Sequence, residues 1–257
     1  MRRATRFAFA ALVLILAGVL LHGCTSAVPA TRSTDVLDIL VYGASGKVGH
    51  LVVDEALARS HRVTAVSRDP SRIAQSHARL TAVRGDLLDP ASVAALLPGH
   101  DVVVVSVRGT VGDSGDPADT VTRIGVENVV EAQRALAEQA PRMIHVGGAG
   151  SLEVEPGVLY ADRLPGLFLP RSLELEIQGQ ILTLEYLRQV HDVPWTYVTP
   201  AKNLTNGSRT AQYRIGGDAL LEDAWGRSRV SRADFAVALI DEAESAAHLQ
   251  QRISIAY

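Results

Sequence analysis

The sequence feature that most constrains the fold is a glycine-rich segment, VYGASGKVG, at residues 41–49. A short apolar run precedes it, and apolar residues recur after it at the spacing of an amphipathic helix. The segment therefore predicts a turn between a strand and a helix. Gly43, Gly46 and Gly49 allow a tight turn, close approach of the backbone to a phosphate, and close packing of helix on strand. With the free N–H groups of the helix start, they predict a nucleotide-phosphate loop rather than an ordinary glycine-rich turn.

A P-loop fits the same segment less well. Lys47 is followed by Val48, so the hydroxyl that a P-loop offers to Mg²⁺ is missing. The helix is expected to start near Lys47. The segment is therefore more typical of dinucleotide-binding folds.

Composition and patterning predict one α/β domain over residues 37–257. The chain has 257 residues, a formal charge of −3 and 47% hydrophobic residues, which suits one sizeable core and argues against disorder or nucleic-acid binding. Strand and helix patterns alternate through five units, which predicts a doubly wound, mostly parallel sheet with an irregular C-terminal region covering the substrate. The valine run at residues 102–107 is expected to form the central strand. Strands are predicted at residues 37–42, 62–67, 80–84, 102–107, 142–146, 195–199 and 253–257, and helices from about residues 47, 70, 90, 121, 172 and 231.

The first 36 residues differ in composition from the rest. Three arginines precede an apolar segment at residues 7–21, and Leu21-His22-Gly23-Cys24 follows. The apolar segment falls short of the roughly 20 residues that span a bilayer. Residues 1–24 therefore predict a signal peptide with a lipobox, and residues 25–36 a linker. Cys24, the only cysteine, is the predicted lipidation site.

These features predict a bacterial lipoprotein that is exported and held at the membrane only through its lipidated N-terminus. The periplasmic or extracytoplasmic face would then be its location. The alternative is a start codon assigned too early, in which case the true protein would begin near Val36 and be cytoplasmic. The ordered series of charge, apolar run and cysteine favours export.

The second strand ends at the position that sets cofactor preference in dinucleotide folds. About 20 residues after the glycines, an acid selects NAD and an arginine accommodates the 2′-phosphate of NADP. Ser67 and Arg68 stand there, and a guanidinium offers paired donors to phosphate oxygens. They predict NADP in preference to NAD, the alternative being a solvated loop arginine. Asp86, just after the third strand, is a candidate acceptor for the adenine amino group.

These motifs resemble the atypical short-chain dehydrogenase/reductases, specifically the NmrA-like group that includes candidate NADH-flavin reductases. The resemblance covers the chain from about residue 36 to residue 257 and implies a Rossmann fold that binds NAD(P). The matching segments are VYGASGKVG, VSRDP, RGDLLDPASV, HVGGAGSLEVEPG, VPWTYVTPA, YRIGGDALL and GRSRVSRADFAVALIDE. The resemblance implies phosphate contacts at Ser45, Gly46, Lys47 and Val48, adenine contacts at Asp86 and Leu87, and nicotinamide neighbours at Ser106, Val107, Gly147, Gly148 and Pro200.

Lysine usage limits the chemistry. Ordinary short-chain dehydrogenases pair a tyrosine with a lysine four residues later, which lowers the phenol pKa. The only lysines are Lys47 and Lys202, and Gly43 and Val198 lie four residues before them. Without this pair, the chain is better suited to hydride transfer from NADPH to a flavin (FMN or FAD), a quinone or a similar acceptor, because solvent can supply the proton. The alternative is a non-catalytic NAD(P) sensor of the NmrA-like type.

Two side chains are the catalytic candidates, and the predicted partner is a small-molecule substrate. Ser151 follows the GGAG segment and would orient the substrate, its alternative being a cap on that turn. Tyr160 lies in the loop expected to flank the pocket. His145, inside an apolar strand, is interpreted as a core residue. No Cys/His cluster has metal-ligand spacing, so no metal site is predicted.

Overall fold

The computed structural model describes residues 35–165 and 169–257. The predicted signal peptide, Cys24 and all but the last two residues of the predicted linker lie outside the described residues. Within the described part of the chain, no helix is both long enough and apolar enough to cross a bilayer.

The described chain folds into alternating strands and helices, as the patterning predicts. The helices are α1 (Gly49–Ala58), α2 (Pro90–Leu96), α3 (Val121–Leu136), α4 (Arg171–Leu187) and α5 (Arg232–Ser245). The strands are β1 (Asp38–Tyr42), β2 (Arg62–Ser67), β3 (Leu80–Arg84), β4 (Val102–Val105), β5 (Arg142–Val146), β6 (Glu153–Glu155), β7 (Val158–Leu159), β8 (Trp195–Pro200), β9 (Asn203–Thr205), β10 (Arg214–Gly216), β11 (Arg229–Ser231) and β12 (Gln251–Ala256).

An eight-stranded sheet organises the fold, in the order β10-β12-β8-β5-β4-β1-β2-β3. All its pairings are parallel except that of β10 with β12. This confirms the predicted doubly wound, mostly parallel sheet. The chain builds outward from β1 to β3 and then returns to β4 on the other side of β1. The carboxyl ends of β1 and β4 therefore flank a crevice of the kind in which such sheets bind ligands.

The core lies on both faces of this sheet. Val102 and Val104 of β4 pack in one apolar cluster with residues of α1 and α5, and Val103 and Val105 pack in the other with residues of α3 and α4. All four valines are fully buried. This confirms the expectation of a central strand buried on both faces, and the strand ends at Val105, two residues earlier than predicted.

The structure differs from the sequence predictions in the irregular regions. The helix expected from Pro70 is only a single 3-10 turn, Pro70–Arg72, because the backbone becomes extended at Ile73. β6 and β7 form a hairpin in the long loop after β5, and β9 pairs with β11. These strands have two or three residues each, too few to show a periodic pattern.

Candidate functional site

The glycine loop packs against the end of β4 so closely that side chains are excluded. Gly43 has φ +79°, and a Cβ there would lie 2.1 Å from the carbonyl oxygen of Ser106. A Cβ on Gly49 would lie 2.1 Å from the carbonyl oxygen of Gly43. α1 begins at Gly49, two residues later than predicted, and no side chain caps its start. The loop is thus a backbone-lined cradle whose N–H groups suit a pyrophosphate.

A cavity of about 660 Å³ extends from this loop across the carboxyl ends of β4, β5 and β8. Its size is that of a cofactor or ligand site. One wall carries three apolar side chains, those of Leu164 before α4 and of Leu173 and Ile177 on α4, beside the polar Glu176 and Gln180 of the same helix. The sequence-predicted site residues that line it are Gly46, Lys47, Val48, Ser106, Val107, Gly147, Gly148, Tyr160 and Pro200.

The residues predicted to hold the adenosine end lie near the carboxyl ends of β1 and β2. The hydroxyl oxygens of Ser45 and Ser67 are 3.5 Å apart. Arg68 is exposed, and among the described residues it has no ion-pair partner. The adjacent acid, Asp69, accepts hydrogen bonds from the backbone N–H and the hydroxyl of Ser71. Asp69 therefore caps the 3-10 turn, and the hydrogen bond from Ser71 holds its pKa below the ordinary value.

The two predicted adenine contacts have different surroundings. Asp86 is partly exposed, and its Oδ1 accepts a hydrogen bond from the Leu88 N–H at 3.0 Å. Leu87 is 4% exposed, and its side chain packs against Gly125 of α3. The side chain of Leu87 thus belongs to the core, because the apolar surface of α3 covers it. Its carbonyl accepts a hydrogen bond from Asn128.

The structure places the two catalytic candidates differently. Ser151 is 3% exposed, and its hydroxyl donates to the carbonyl of Gly148 at 2.9 Å. That arrangement is the turn cap which the sequence left open as an alternative. Tyr160 lines the cavity, and the ammonium nitrogen of Lys202 lies 5.8 Å from the centre of its ring. The ammonium also pairs with Glu222 at 3.1 Å.

A buried polar network lies behind the cavity wall. His145 is fully buried, its Nε2 is 3.1 Å from Oε1 of Gln180, and burial lowers its pKa to about 4. The hydroxyl of Tyr197 is 2.9 Å from the same oxygen. His145 is therefore a core residue, as interpreted from its apolar strand. Because burial lowers its pKa, its imidazole is neutral at pH 7. The network fixes Gln180, which lines the cavity.

Sequence reasoning missed every charged group of the cavity except Lys47. Glu176 on α4 and Arg108 after β4 both line it, with 3.1 Å between Arg108 Nε and Glu176 Oε1. Lys202, at the end of β8, and Arg232, at the start of α5, add positive charge. One signal was available for Glu176, since it falls at helical spacing among apolar residues of the helix predicted from residue 172. Within the described residues, no group of three or more His, Cys, Asp or Glu side chains is placed to hold a metal ion.

Comparisons with known proteins agree with this geometry. A family model for NAD(P)H-binding proteins matches residues 43–246. The chain therefore belongs to this NAD(P)H-binding family, and its relatives place it among the atypical short-chain dehydrogenase/reductases.

Three solved structures are similar over nearly all of the described chain. A candidate epimerase from Bacteroides thetaiotaomicron is 30% identical with a TM-score of 0.76, covering 87% of this chain and 98% of its own. A candidate exported protein from Burkholderia pseudomallei is 34% identical with a TM-score of 0.67, covering 86% and 100%. A candidate NADH-flavin reductase from Streptococcus pneumoniae is 27% identical with a TM-score of 0.66, covering 86% and 99%. The family and the fold support a nicotinamide cofactor and an NAD(P)H-dependent oxidoreductase in general terms.

Proposed function

We propose that the protein is an NADPH-dependent reductase that passes hydride to a flavin, a quinone or a similar conjugated acceptor. The observation that carries this proposal is the continuous cavity, which leads from the glycine loop to the apolar side chains of Leu164, Leu173 and Ile177. The reduced nicotinamide would supply the hydride at the ends of β4 and β5. These three side chains suit the face of a flat conjugated ring that lies against them.

The absence of the ordinary tyrosine–lysine spacing favours such an acceptor over an alcohol or a simple ketone. The fold does bring Lys202 near Tyr160, but the described contact of its ammonium is with the ring face, and Glu222 shares the charge. A flavin or quinone accepts hydride at an electrophilic ring and depends less on such a pair. The relative from Streptococcus pneumoniae, described as a candidate NADH-flavin reductase, supports the same acceptor class.

The preference for NADPH is supported by the edge of the sheet beside β2. Arg68 is exposed and has no ion-pair partner among the described residues, and two hydroxyls, those of Ser45 and Ser67, lie beside one another. Asp69, the nearby acid, is committed to capping. A 2′-phosphate would gain charge-assisted hydrogen bonds from this arrangement.

The experiment mixes the purified full chain with NADPH and each of FMN, FAD and a soluble quinone, and follows NADPH oxidation by absorbance. We expect oxidation with at least one acceptor. Lys47→Glu is the matched control. Lys47 is exposed, so replacing it with glutamate puts a negative charge at the glycine loop without disturbing the core. It should abolish oxidation and leave the circular-dichroism spectrum unchanged.

Other outcomes would contradict the proposal. NADPH binding without oxidation across all acceptors would favour the sensor. Failure to bind NADPH at submillimolar concentrations would argue against both functions.

We further propose that the protein is exported and anchored through Cys24. The proposal is supported by the order of arginines, apolar segment and cysteine, and by the similar protein from Burkholderia pseudomallei, which is described as a candidate exported protein. In a bacterial host, Cys24→Ser should move the protein from the membrane fraction to the soluble fraction. A mature chain beginning near Val36, or equal fractionation of the two proteins, would contradict it.

A further inference from the structure

Glu176 is the one acid among the cavity-lining residues of the described chain. It lies on α4 with Leu173, Ile177 and Gln180, and all four line the cavity because their spacing puts them on one helix face. The side chain of Glu176 is 17% exposed. A carboxyl group is thus held at the wall that faces the ends of β4 and β5.

The surroundings of this carboxyl favour its protonated form more than water does. Burial raises the pKa of Glu176, and the neighbouring Arg108 opposes this effect without cancelling it. The guanidinium of Arg108 is 74% exposed, so water screens its charge. On α3, which packs against α4, Arg123 and Glu127 pair with each other. The other ionisable groups that line the cavity are Lys47, Tyr160, Lys202 and Arg232.

We propose that the Glu176 carboxyl donates the proton that accompanies hydride transfer, and that Arg108 stabilises the carboxylate left behind. The proposal rests on the reductase function proposed above. The C4–H bond of NADPH breaks and its electron pair passes with the hydrogen to the acceptor. The O–H bond of Glu176 breaks, and the proton goes to an oxygen or nitrogen of the acceptor. NADP⁺, the reduced acceptor and a carboxylate result, and solvent returns a proton to Glu176.

This role sets a chemical requirement that the acceptor must meet. The acceptor needs a basic oxygen or nitrogen conjugated to the atom that takes the hydride, so that one helix-borne carboxyl can reach it. A quinone carbonyl and a flavin ring nitrogen both meet that requirement. The carboxyl would then supply, from another element, the proton that a tyrosine supplies in ordinary short-chain dehydrogenases.

The kinetic test compares Glu176→Gln with Glu176→Asp in the full chain. It uses the acceptor that supports the fastest NADPH oxidation in the experiment described above. General acid catalysis is worth about 10²–10⁴-fold, so Glu176→Gln should lower kcat about 100-fold with an unchanged KM for NADPH. The wild-type kcat should fall as pH rises through the carboxyl pKa, and Glu176→Gln should remove that step. Glu176→Asp should restore part of the rate and the step. Glu174→Gln, an exposed acid on the same helix that pairs with Arg171, is the matched control and should change neither.

A second readout does not depend on turnover. In protein labelled with ¹³C-carboxyl glutamate, the Glu176 resonance is assigned by its loss in Glu176→Gln. It should titrate above the ordinary glutamate pKa of about 4.3 and should shift when NADP⁺ is added. The Glu174 resonance should not shift when NADP⁺ is added.

The outcomes separate the two proposals. An active wild-type protein whose pH step persists in Glu176→Gln, or whose kcat changes less than twofold, overturns the proton-donor role and leaves the reductase function standing. A wild-type protein that oxidises no NADPH with any acceptor overturns the reductase function and, with it, proton donation. If the Glu176 resonance does not shift when NADP⁺ is added, the carboxyl lies away from the cofactor, which also counts against the inference.

Discussion

Gly43 and Gly99 share a backbone conformation, φ +79° at both, but not an environment. A Cβ at Gly43 would collide with the backbone of Ser106, whereas nothing lies within 4 Å of a Cβ at Gly99. The two positions therefore separate two reasons why a residue must be glycine. One is a positive φ, and the other is the close approach of neighbouring backbone atoms. At Gly43 the close approach also brings the end of β4 against the glycine loop.

Replacing each glycine by alanine tests this difference. Gly99→Ala should lose about 1–2 kcal/mol of unfolding free energy, the cost of a left-handed non-glycine residue. Gly43→Ala should lose about 1–3 kcal/mol more, because the backbone of Ser106 must move. It should also bind NADPH more weakly, since the phosphate loop moves with it. Urea denaturation of both variants measures the difference, and equal losses would show that the contact with Ser106 carries no cost.

At the scale of elements, the start of α5 joins distant parts of the chain. The hydroxyl of Ser231 accepts a hydrogen bond from the N–H of Asp234 at 2.9 Å and so caps the start of α5. The Asp234 carboxylate accepts from the backbone N–H groups of Thr210 and Ala211 and from the hydroxyl of Tyr257. One buried carboxylate thus fixes the loop before β10 and the end of the chain.

Asp234→Ala should therefore destabilise the fold by about 3 kcal/mol at pH 7, because it removes the hydrogen bonds that a buried, ionised carboxylate accepts. Burial would raise the pKa of Asp234, but hydrogen bonds led by those of Tyr257 and Thr210 outweigh burial and lower it. A lowered pKa means that this stabilisation is present above the unfolded pKa of about 3.9 and is lost as pH falls through the folded pKa. Unfolding free energies at pH 7 and pH 3 measure the effect.

Asp116→Ala is the matched control, since Asp116 is exposed and caps only a local turn. It should change stability by no more than about 0.5 kcal/mol. A difference between wild type and Asp234→Ala that is the same at both pH values would contradict the assignment of the effect to the ionised carboxylate.

At the scale of the whole molecule, the sequence predicted the features that periodic apolar residues or a short local motif mark. The long strands and helices were predicted because apolar residues mark them, and the glycine loop was recognised because its glycines lie close together in the sequence. Arg108 and Glu176 were not found, because only the folded sheet brings the end of β4 to α4. The absence of a tyrosine–lysine pair at four-residue spacing likewise gave no sign that Tyr160 and Lys202 would share a cavity.

The cofactor should stabilise the whole fold, and Arg68 should decide which cofactor does so. A ligand present at 100 times its Kd adds about 2.7 kcal/mol to the unfolding free energy, so NADPH should raise Tm in the full chain more than equimolar NADH. A hydrogen bond to a charged group contributes about 1.5–3 kcal/mol. Arg68→Ala should therefore weaken NADPH binding about 10–100-fold and leave NADH binding nearly unchanged.

Arg134→Ala is the control for that comparison, because Arg134 lies in the last turn of α3, before β5 begins and away from the carboxyl ends of the strands. Thermal unfolding with a titration of each cofactor gives both affinities from one observable. Equal losses for NADPH and NADH in Arg68→Ala would place the arginine outside the 2′-phosphate contact. A Tm that neither cofactor changes would contradict cofactor binding itself. Selective loss of the NADPH shift would link one exposed side chain at the end of β2 to the stability of the entire sheet.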